Sequence, residues 1–145
     1  TLFPYTTLFR SRVGLQNNRT NFIGTFYDKF LDDPSDYISR SDSETWTQWR
    51  DRLAKKILGL GKAKTSFAIE MLFPLEAQVV CMDTHLFQIY GLNQTKHAKL
   101  YNEIEGDWLN RSKERGLAPY MARCLYWDKN QNRKNSRYWS KVLEK

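Results

Sequence analysis

The segment GLGKAKTSFAIEMLFPLEAQVVCMDTHLFQIYGL, residues 59–92, decides the fold. Two glycines flank Leu60, two lysines follow, and Asp83 comes about twenty residues after them. Glycine permits a positive φ and a close approach of backbone, so Gly-Leu-Gly between two helical patterns predicts a tight turn. The free amides at the start of the second helix favour an anion, and Lys62 and Lys64 add positive charge. The pattern predicts a helical hairpin, with two interpretations open: a hairpin that binds phosphate, or an ordinary hairpin whose lysines are only solvated.

Apolar residues recur at helical spacing along most of the sequence. Helices are predicted over residues 22–31, 34–38, 43–57, 63–72, 84–90, 96–115 and 119–129. The apolar stretch 78–82 is predicted to be extended without joining a sheet. Because no alternating strand pattern occurs in the sequence, we expect an all-α fold.

Caps and faces are predicted for two of these helices. Ser43 is the candidate N-cap of the helix that contains Trp49 and Leu53, which fall on one apolar face. Thr95 is the candidate N-cap of the longest helix, and Gly116 closes that helix. The basic residues of the tryptophan-containing helix are predicted to lie on its other sides: Arg50, Arg52, Lys55 and Lys56.

Composition narrows the classes of function. The 145 residues carry a formal net charge of +7, and 14% of them are aromatic. Such a positive excess favours a polyanionic partner, nucleic acid first, and the aromatic content argues against disorder. No apolar run approaches the roughly 18–20 residues of a membrane-spanning helix. Cys81 and Cys124 are too few for a disulfide framework or an iron–sulfur cluster, and are predicted to be buried thiols.

The two ends of the sequence carry separate predictions. Residues 1–11, TLFPYTTLFRS, read as the translation of a short-read sequencing adapter, so we exclude them from the fold and expect a gene read from an environmental sample. Residues 12–145 are then predicted to form a single helical domain whose natural N-terminus is missing. In the basic tail, Tyr138 and Trp139 are predicted to dock on the core; the alternative is stacking on an unpaired base.

The stretches ILGLGKAKTSFAIEML, residues 57–72, and VVCMDTH, residues 79–85, together resemble the helix-hairpin-helix DNA glycosylase superfamily of the endonuclease III type. Members carry a pattern like L-P-G-V-G-x-K-T-A, then an apolar helix, then V-D-T-H; here Leu58 replaces the proline. The resemblance covers residues 46–92, about a third of the chain. It implies an endonuclease III-like fold and an enzyme that flips a damaged or mispaired base and cleaves its N-glycosidic bond.

The resemblance also implies roles for single residues. The backbone carbonyls of Ile57 and Leu60 would hold a monovalent cation that bridges to a phosphate. Asp83 would stabilise the positive charge that develops on the sugar, or deprotonate the nucleophile. Sequence order alone favours Asp83 as a helix N-cap, the hairpin about twenty residues upstream favours the catalytic role, and the two roles are compatible. His85 is predicted to pack or hydrogen-bond within its helix. The residues implied to bind DNA are Gly59, Leu60, Gly61, Lys62, Lys64 and Thr65.

The sequence departs from the family pattern at the catalytic lysine. Bifunctional members use a lysine two residues after the second glycine, which attacks the sugar and forms a Schiff base. In a gapless alignment that position is Ala63, with Lys62 and Lys64 on either side. We therefore favour a monofunctional glycosylase that uses water; the alternative is that an insertion brings Lys64 into the catalytic position. The four-cysteine cluster of endonuclease III is absent, so we expect no iron–sulfur cluster and no required cofactor.

Three functions remain open at this point. The first is the glycosylase: a cytoplasmic, nucleoid-associated monomer, without membrane contact, that acts on double-stranded DNA carrying a lesion or mismatch. The second is a non-catalytic helix-hairpin-helix module that only binds DNA. The third is an all-α interaction domain with incidental charge. Asp83 favours the enzyme, because a carboxylate beside the phosphates would weaken a pure DNA-binding module.

Overall fold

The computed structural model describes residues 16–130, and these residues are helical without a strand. The adapter-like stretch and the predicted docking of Tyr138 and Trp139 lie outside the described residues. The all-α prediction is confirmed for the part of the chain that the structure describes. The helices are α1 Gln16–Asp32, α2 Ser35–Ile38, α3 Trp46–Lys56, α4 Lys62–Leu72, α5 Thr84–Ile89, a 3₁₀ turn Ala98–Leu100, α6 Tyr101–Glu114 and α7 Pro119–Asn130.

The chain divides into two compact units, with the boundary between Gly61 and Lys62. The first unit contains α1 to α3 and the second contains α4 to α7. None of the described helices is both long enough and apolar enough to cross a membrane.

Aromatic side chains organise the first unit. Phe26 and Phe30 of α1 lie against the ring of Tyr37 in α2, with the Phe26 and Tyr37 centroids 5.3 Å apart in an edge-to-face arrangement. Tyr37 is buried, and the ammonium group of Lys56 lies 4.6 Å from the centroid of its ring. The short helix α2 is therefore held between α1 and the end of α3 by ring contacts that its four residues could not supply alone.

The N-cap of α3 is Thr45, and the prediction of Ser43 is wrong. The Thr45 hydroxyl accepts a hydrogen bond from the Gln48 amide, and the Gln48 side chain accepts one from the Thr45 amide at 2.8 Å. This reciprocal capping box satisfies two amides that a helix start leaves without partners. The sequence contains this pattern, Thr followed three residues later by Gln. The pair forms two hydrogen bonds at the helix start, whereas a serine cap at position 43 would form one.

The basic residues of α3 differ from the prediction in one position. Arg50 is 0% exposed, so it lies within the unit and not on an outer side, and its Nε bonds Asp51 Oδ1 at 2.6 Å. Arg52 lies nearer the surface and bonds Asp36 at 2.7 Å and Glu44 at 2.8 Å. The hydrogen bond from Arg52 holds the pKa of Glu44 below its usual value. Much of the positive charge of α3 is thus neutralised within its own unit.

The turn after α3 needs a glycine at its first position. Gly59 has φ +82°, in the left-handed region that side chains disfavour, and the Leu60 amide donates to the Ile57 carbonyl at 3.2 Å. A Cβ built on Gly59 would lie 2.5 Å from Cδ2 of Phe22 in α1. The first hairpin glycine therefore serves two purposes: it permits the turn and it admits the phenyl ring.

We expect Gly59→Ala to lower the free energy of unfolding by about 2 kcal/mol, because the left-handed backbone alone costs roughly 1–2 kcal/mol and the Phe22 ring must also move. Gly24→Ala is the matched control: Gly24 lies within α1 and a Cβ there meets nothing within 4 Å. That control should gain about 0.5–1 kcal/mol from helix propensity. Urea unfolding measures both, and a Gly59→Ala chain as stable as the parent would contradict the described turn.

Helix α4 buries its polar face. Phe67 is 44% exposed and Leu72 is 59% exposed, whereas Ser66, Ile69 and Glu70 are buried. The inward polar groups have partners, since Ser66 Oγ lies 3.2 Å from the hydroxyl oxygen of Tyr101 and Glu70 bonds to α7. Ile69 is buried, but Phe67 and Leu72 are not, so the apolar residues of this helix only partly mark its buried side.

The long helix starts later than predicted. Asn93 Oδ1 accepts hydrogen bonds from the amides of Thr95 and Lys96, both at 3.0 Å. This side-chain turn replaces the predicted Thr95 cap, and regular α-helix begins only at Tyr101 after the 3₁₀ turn. The predicted stop is confirmed, because Gly116 follows α6 with φ +66°.

Candidate functional site

A segment without regular secondary structure, residues 77–83, leads to Asp83 through the interior of the second unit. Val79, Val80 and Met82 are 0% exposed, and the segment has no neighbouring strand among the described residues. Backbone groups that find no partner within the segment therefore need side-chain partners. The Val80 amide donates to Glu105 Oε1 at 2.8 Å, and the Val80 carbonyl accepts the Tyr101 hydroxyl proton at 2.7 Å. The segment lies outside a sheet, as predicted, but its end is turned, because the Met82 and Asp83 amides each donate to the carbonyl two residues earlier at 2.9 Å.

Gln94 connects the two residues on either side of Asp83. Its Nε2 donates to the Met82 carbonyl at 3.1 Å, and its Oε1 accepts from the Thr84 hydroxyl at 2.9 Å. The Met82 amide also donates to the Tyr101 hydroxyl oxygen at 3.3 Å. Asp83 is thus held from both directions along the chain. Sequence inspection did not single out Gln94, because its partners lie 10 and 12 residues away.

Asp83 is the N-cap of α5, as the residues alone predicted. Its Oδ1 accepts hydrogen bonds from the amides of His85 and Leu86, both at 3.0 Å. Both bonds use the same oxygen, and Oδ2 has no hydrogen-bond partner in the described part of the chain. The residue is half-buried. One oxygen therefore fixes the direction of the carboxylate while the other remains available to a ligand.

His85 packs against another helix. Its ring centroid lies 4.7 Å from that of Trp127 in α7, in an edge-to-face arrangement. The imidazole is exposed on its other side. The ring therefore packs, as predicted, but its ring contact is with α7 and not with its own helix.

The predicted DNA-binding residues of the second unit have different environments. Lys62 Nζ donates to Asn102 Oδ1 at 3.0 Å and lies 5.9 Å from the Tyr101 ring centroid. Since Tyr101 also bonds Met82, one tyrosine contacts both the start of α4 and the segment before Asp83.

Lys64 is exposed. Thr65 is 1% exposed, so its hydroxyl cannot reach a phosphate, and we withdraw it as a DNA contact.

Ala63 and Lys64 face different directions on α4. Ala63 packs against the buried cluster that contains Val80, Met82 and Leu86, whereas Lys64 lies in solvent. The helix runs from Lys62 to Leu72 without a break. Successive residues of an α-helix point about 100° apart, so Lys64 and Ala63 lie on different sides of α4.

The predicted cation position lies in the first unit. The Ile57 carbonyl accepts the Leu60 amide at 3.2 Å, which leaves one of its two lone pairs for another ligand. Within residues 16–130, no three or more His, Cys, Asp or Glu side chains are arranged to hold a metal ion.

A buried ion pair lies behind the Asp83 segment, and sequence inspection missed it. Glu70 of α4 is 0% exposed, and its carboxylate bonds the Arg123 guanidinium of α7 at 2.8 and 3.2 Å. Burial raises the pKa of Glu70 to about 7, against the opposing attraction of Arg123. A glutamate within the apolar run FAIEML was the available sign of a buried polar partner.

Both cysteines are buried and unpaired, as predicted. Burial raises the pKa of Cys81 and of Cys124 to about 12. These thiols stay protonated at neutral pH, so neither is a nucleophile.

Comparison with known proteins gives no further assignment: no protein-family model matches the chain, and no curated protein or solved structure matches it. The resemblance to endonuclease III-type glycosylases therefore rests on the residues of the hairpin and of the Asp83 segment.

Proposed function

We propose that this chain is a DNA base-excision glycosylase of the endonuclease III-like type, with Asp83 as its essential carboxylate. One observation carries the proposal. Oδ1 of Asp83 receives both cap hydrogen bonds, while Oδ2 has no partner among the described residues. A carboxylate held in a fixed direction with one oxygen unoccupied is suited to stabilising charge that appears beside it.

The chemistry follows from the charge on the sugar. A flipped nucleotide presents its C1′–N bond, and stretching that bond builds positive charge on the sugar as in an oxocarbenium ion. The carboxylate of Asp83 stabilises this charge and accepts a proton from the attacking water. The C1′–O bond forms, the C1′–N bond breaks, and the base leaves with its electron pair and takes up a proton. The product is an abasic site.

Rigidity of the segment supports this role. The Gln94 bridge, the Tyr101 hydroxyl and the Glu105 carboxylate fix the backbone before Asp83 without a sheet. Catalytic groups need placement within about 0.5 Å, and support from buried hydrogen bonds provides it. Since the supporting side chains come from α6 and the turn before it, the carboxylate depends on packing and not on local propensity alone.

Double-stranded DNA with a lesion or mismatch is the proposed partner. The backbone at Gly59, Leu60 and Gly61 would approach the phosphates, assisted by a monovalent cation at the Ile57 and Leu60 carbonyls. Lys64 is exposed and has no ion-pair partner within residues 16–130, so its charge is available to a phosphate. No cofactor is required by this chemistry, and a monomer located with the nucleoid would suffice.

We favour a monofunctional enzyme, because Ala63 and not Lys64 lies toward the cluster around Met82. On a uracil- or lesion-containing duplex, borohydride should trap no covalent adduct with the parent chain. Lys64→Ala should weaken DNA binding without changing the product. A trapped adduct that disappears in Lys64→Ala would reverse this assignment and make Lys64 the nucleophile of a lyase.

The test of the proposal is a panel of duplexes, each with one lesion: uracil, 8-oxoguanine, thymine glycol, an alkylated purine, or thymine opposite guanine. We expect abasic sites from at least one lesion and none from undamaged duplex. Abasic sites are measured by strand cleavage after alkali treatment. If the parent chain releases no base from any of these duplexes, the glycosylase proposal is wrong.

A non-catalytic helix-hairpin-helix module is the second candidate. The observation that favours it is that Asp83 makes both hydrogen bonds expected of a purely structural N-cap. Such a module would bind duplex DNA with an affinity that falls steeply with salt, and would leave every lesion in place.

A further inference from the structure

A cleft of about 370 Å³ lies within the second unit, apart from Asp83, between the end of α5, the second half of α6 and α7. Its volume is near the lower end of the roughly 300–1,000 Å³ that small-molecule sites occupy. Aromatic rings and cations line it, and among the described residues no carboxylate side chain does. A cleft of this size has room for one small planar ligand with a charged group.

Three aromatic residues supply flat surfaces. Tyr90, Trp108 and Tyr126 line the cleft, and the Trp108 and Tyr126 rings meet edge-to-face with centroids 6.0 Å apart. Trp108 is held in place because its indole N–H donates to the Pro119 carbonyl. The Tyr126 hydroxyl has no hydrogen-bond partner in the described part of the chain. Fixed rings of this kind stack on the face of a nucleobase irrespective of its sequence.

Three cations line the same cleft. Arg111 is neutralised by Asp107 at its rim, since Arg111 Nε and the Tyr90 hydroxyl both bond Asp107 Oδ2 at 2.8 Å. Arg115 and Lys129 have no ion-pair partner within residues 16–130. Two cations that are not offset by a neighbouring carboxylate favour an anion, and a guanidinium suits a phosphate best.

We propose that this cleft binds a nucleotide, with the base stacked on Tyr126 and Trp108 and the phosphate held by Arg115 and Lys129. The shared chemistry, an aromatic base joined to a phosphate, is found both in a free mononucleotide and in an unpaired single strand. This site is separate from the proposed catalytic segment. Nucleotide binding in the cleft does not require base release by Asp83. Either proposal, the nucleotide site or the glycosylase, can therefore fail without the other.

The experiment measures equilibrium binding of adenosine 5′-monophosphate and of single-stranded oligodeoxyadenylate to the full chain by calorimetry, with adenosine and inorganic phosphate as partial ligands. Both partial ligands should bind more weakly than the mononucleotide. Comparable affinity for the mononucleotide and the strand identifies a free nucleotide as ligand, and much tighter binding of the strand identifies single-stranded nucleic acid.

Variants locate the binding. We expect Arg115→Gln with Lys129→Gln to weaken mononucleotide binding about tenfold or more, and Tyr126→Leu to weaken it about tenfold through lost stacking. Lys113→Gln is the matched control, because Lys113 is exposed on α6 and does not line the cleft. Absence of nucleotide binding, or binding that these cleft variants leave unchanged while Lys64→Gln abolishes it, would overturn the proposal.

Discussion

Asp83→Asn is expected to bind lesion-containing duplex as tightly as the parent chain and to release the base about 100- to 1,000-fold more slowly, the loss typical of removing one group that stabilises a transition-state charge. Asparagine caps helices as well as aspartate does, so the hydrogen bonds to the His85 and Leu86 amides can persist. The substitution therefore separates the capping role of the carboxylate from its proposed catalytic role. Binding is measured by fluorescence anisotropy and base release by alkaline cleavage in single-turnover conditions.

The control for this result is Glu76→Gln. Glu76 is exposed in the same unit, and its replacement removes the same unit of negative charge. Base release should not change in that variant. Equal base release by Asp83→Asn and the parent would show that Asp83 is only a cap, and the DNA-binding module would then be the better interpretation.

Features set by neighbouring residues were predictable from the sequence. The Asp83 cap depends on amides two and three residues away, and the closing glycine of α6 has the positive φ that its position after a helical pattern predicted. Local chemistry decides such features before any long-range packing does. Even among local features two predicted N-caps were wrong. Thr45, in a capping box with Gln48, caps α3 instead of Ser43, and a turn closed by Asn93 stands where Thr95 was predicted to cap.

Features set by distant residues were not predictable from one sequence. Glu70 and Arg123 are 53 positions apart, so nothing near either residue indicates its partner. The same limit explains α4, whose packed face carries Ser66 and Glu70 beside Ile69 while Phe67 and Leu72 are exposed. A buried polar group is stable only when another element satisfies it, and that element must be known first.

The side chains that hold the backbone around Asp83 are also features set by distant residues. Gln94 bonds the Met82 carbonyl and the Thr84 hydroxyl, and Tyr101 bonds the backbone of Val80 and Met82, from positions 10 to 21 residues distant. The motif alone gives the acid and its helix, whereas the groups that fix the acid appear only in the fold. For a catalytic carboxylate, this means that sequence similarity in the motif is a weaker indication of activity than the completeness of its packed surroundings.

Arg123→Met is expected to lower the free energy of unfolding by about 3–5 kcal/mol at pH 8, because it leaves the Glu70 carboxylate buried without a partner. The loss should be smaller at pH 5, where the buried carboxyl is protonated and needs no counterion. In the parent chain the pKa of Glu70 is raised from 4.5 to about 7. Its stabilising contribution is therefore complete below about pH 4.5 and is lost as the pH rises through 7, by roughly 3 kcal/mol in all.

Glu70→Gln provides the control, since a neutral amide of similar size cannot titrate. Stability is measured by urea unfolding at pH 5 and pH 8. From pH 5 to pH 8 the parent should lose stability relative to Glu70→Gln. The double variant with Arg123→Met should be more stable at pH 8 than Arg123→Met alone, because no unpaired carboxylate remains. If Arg123→Met lowers the free energy of unfolding equally at pH 5 and pH 8, Glu70 does not titrate between these pH values. The ion pair behind the Asp83 segment is then charged at both.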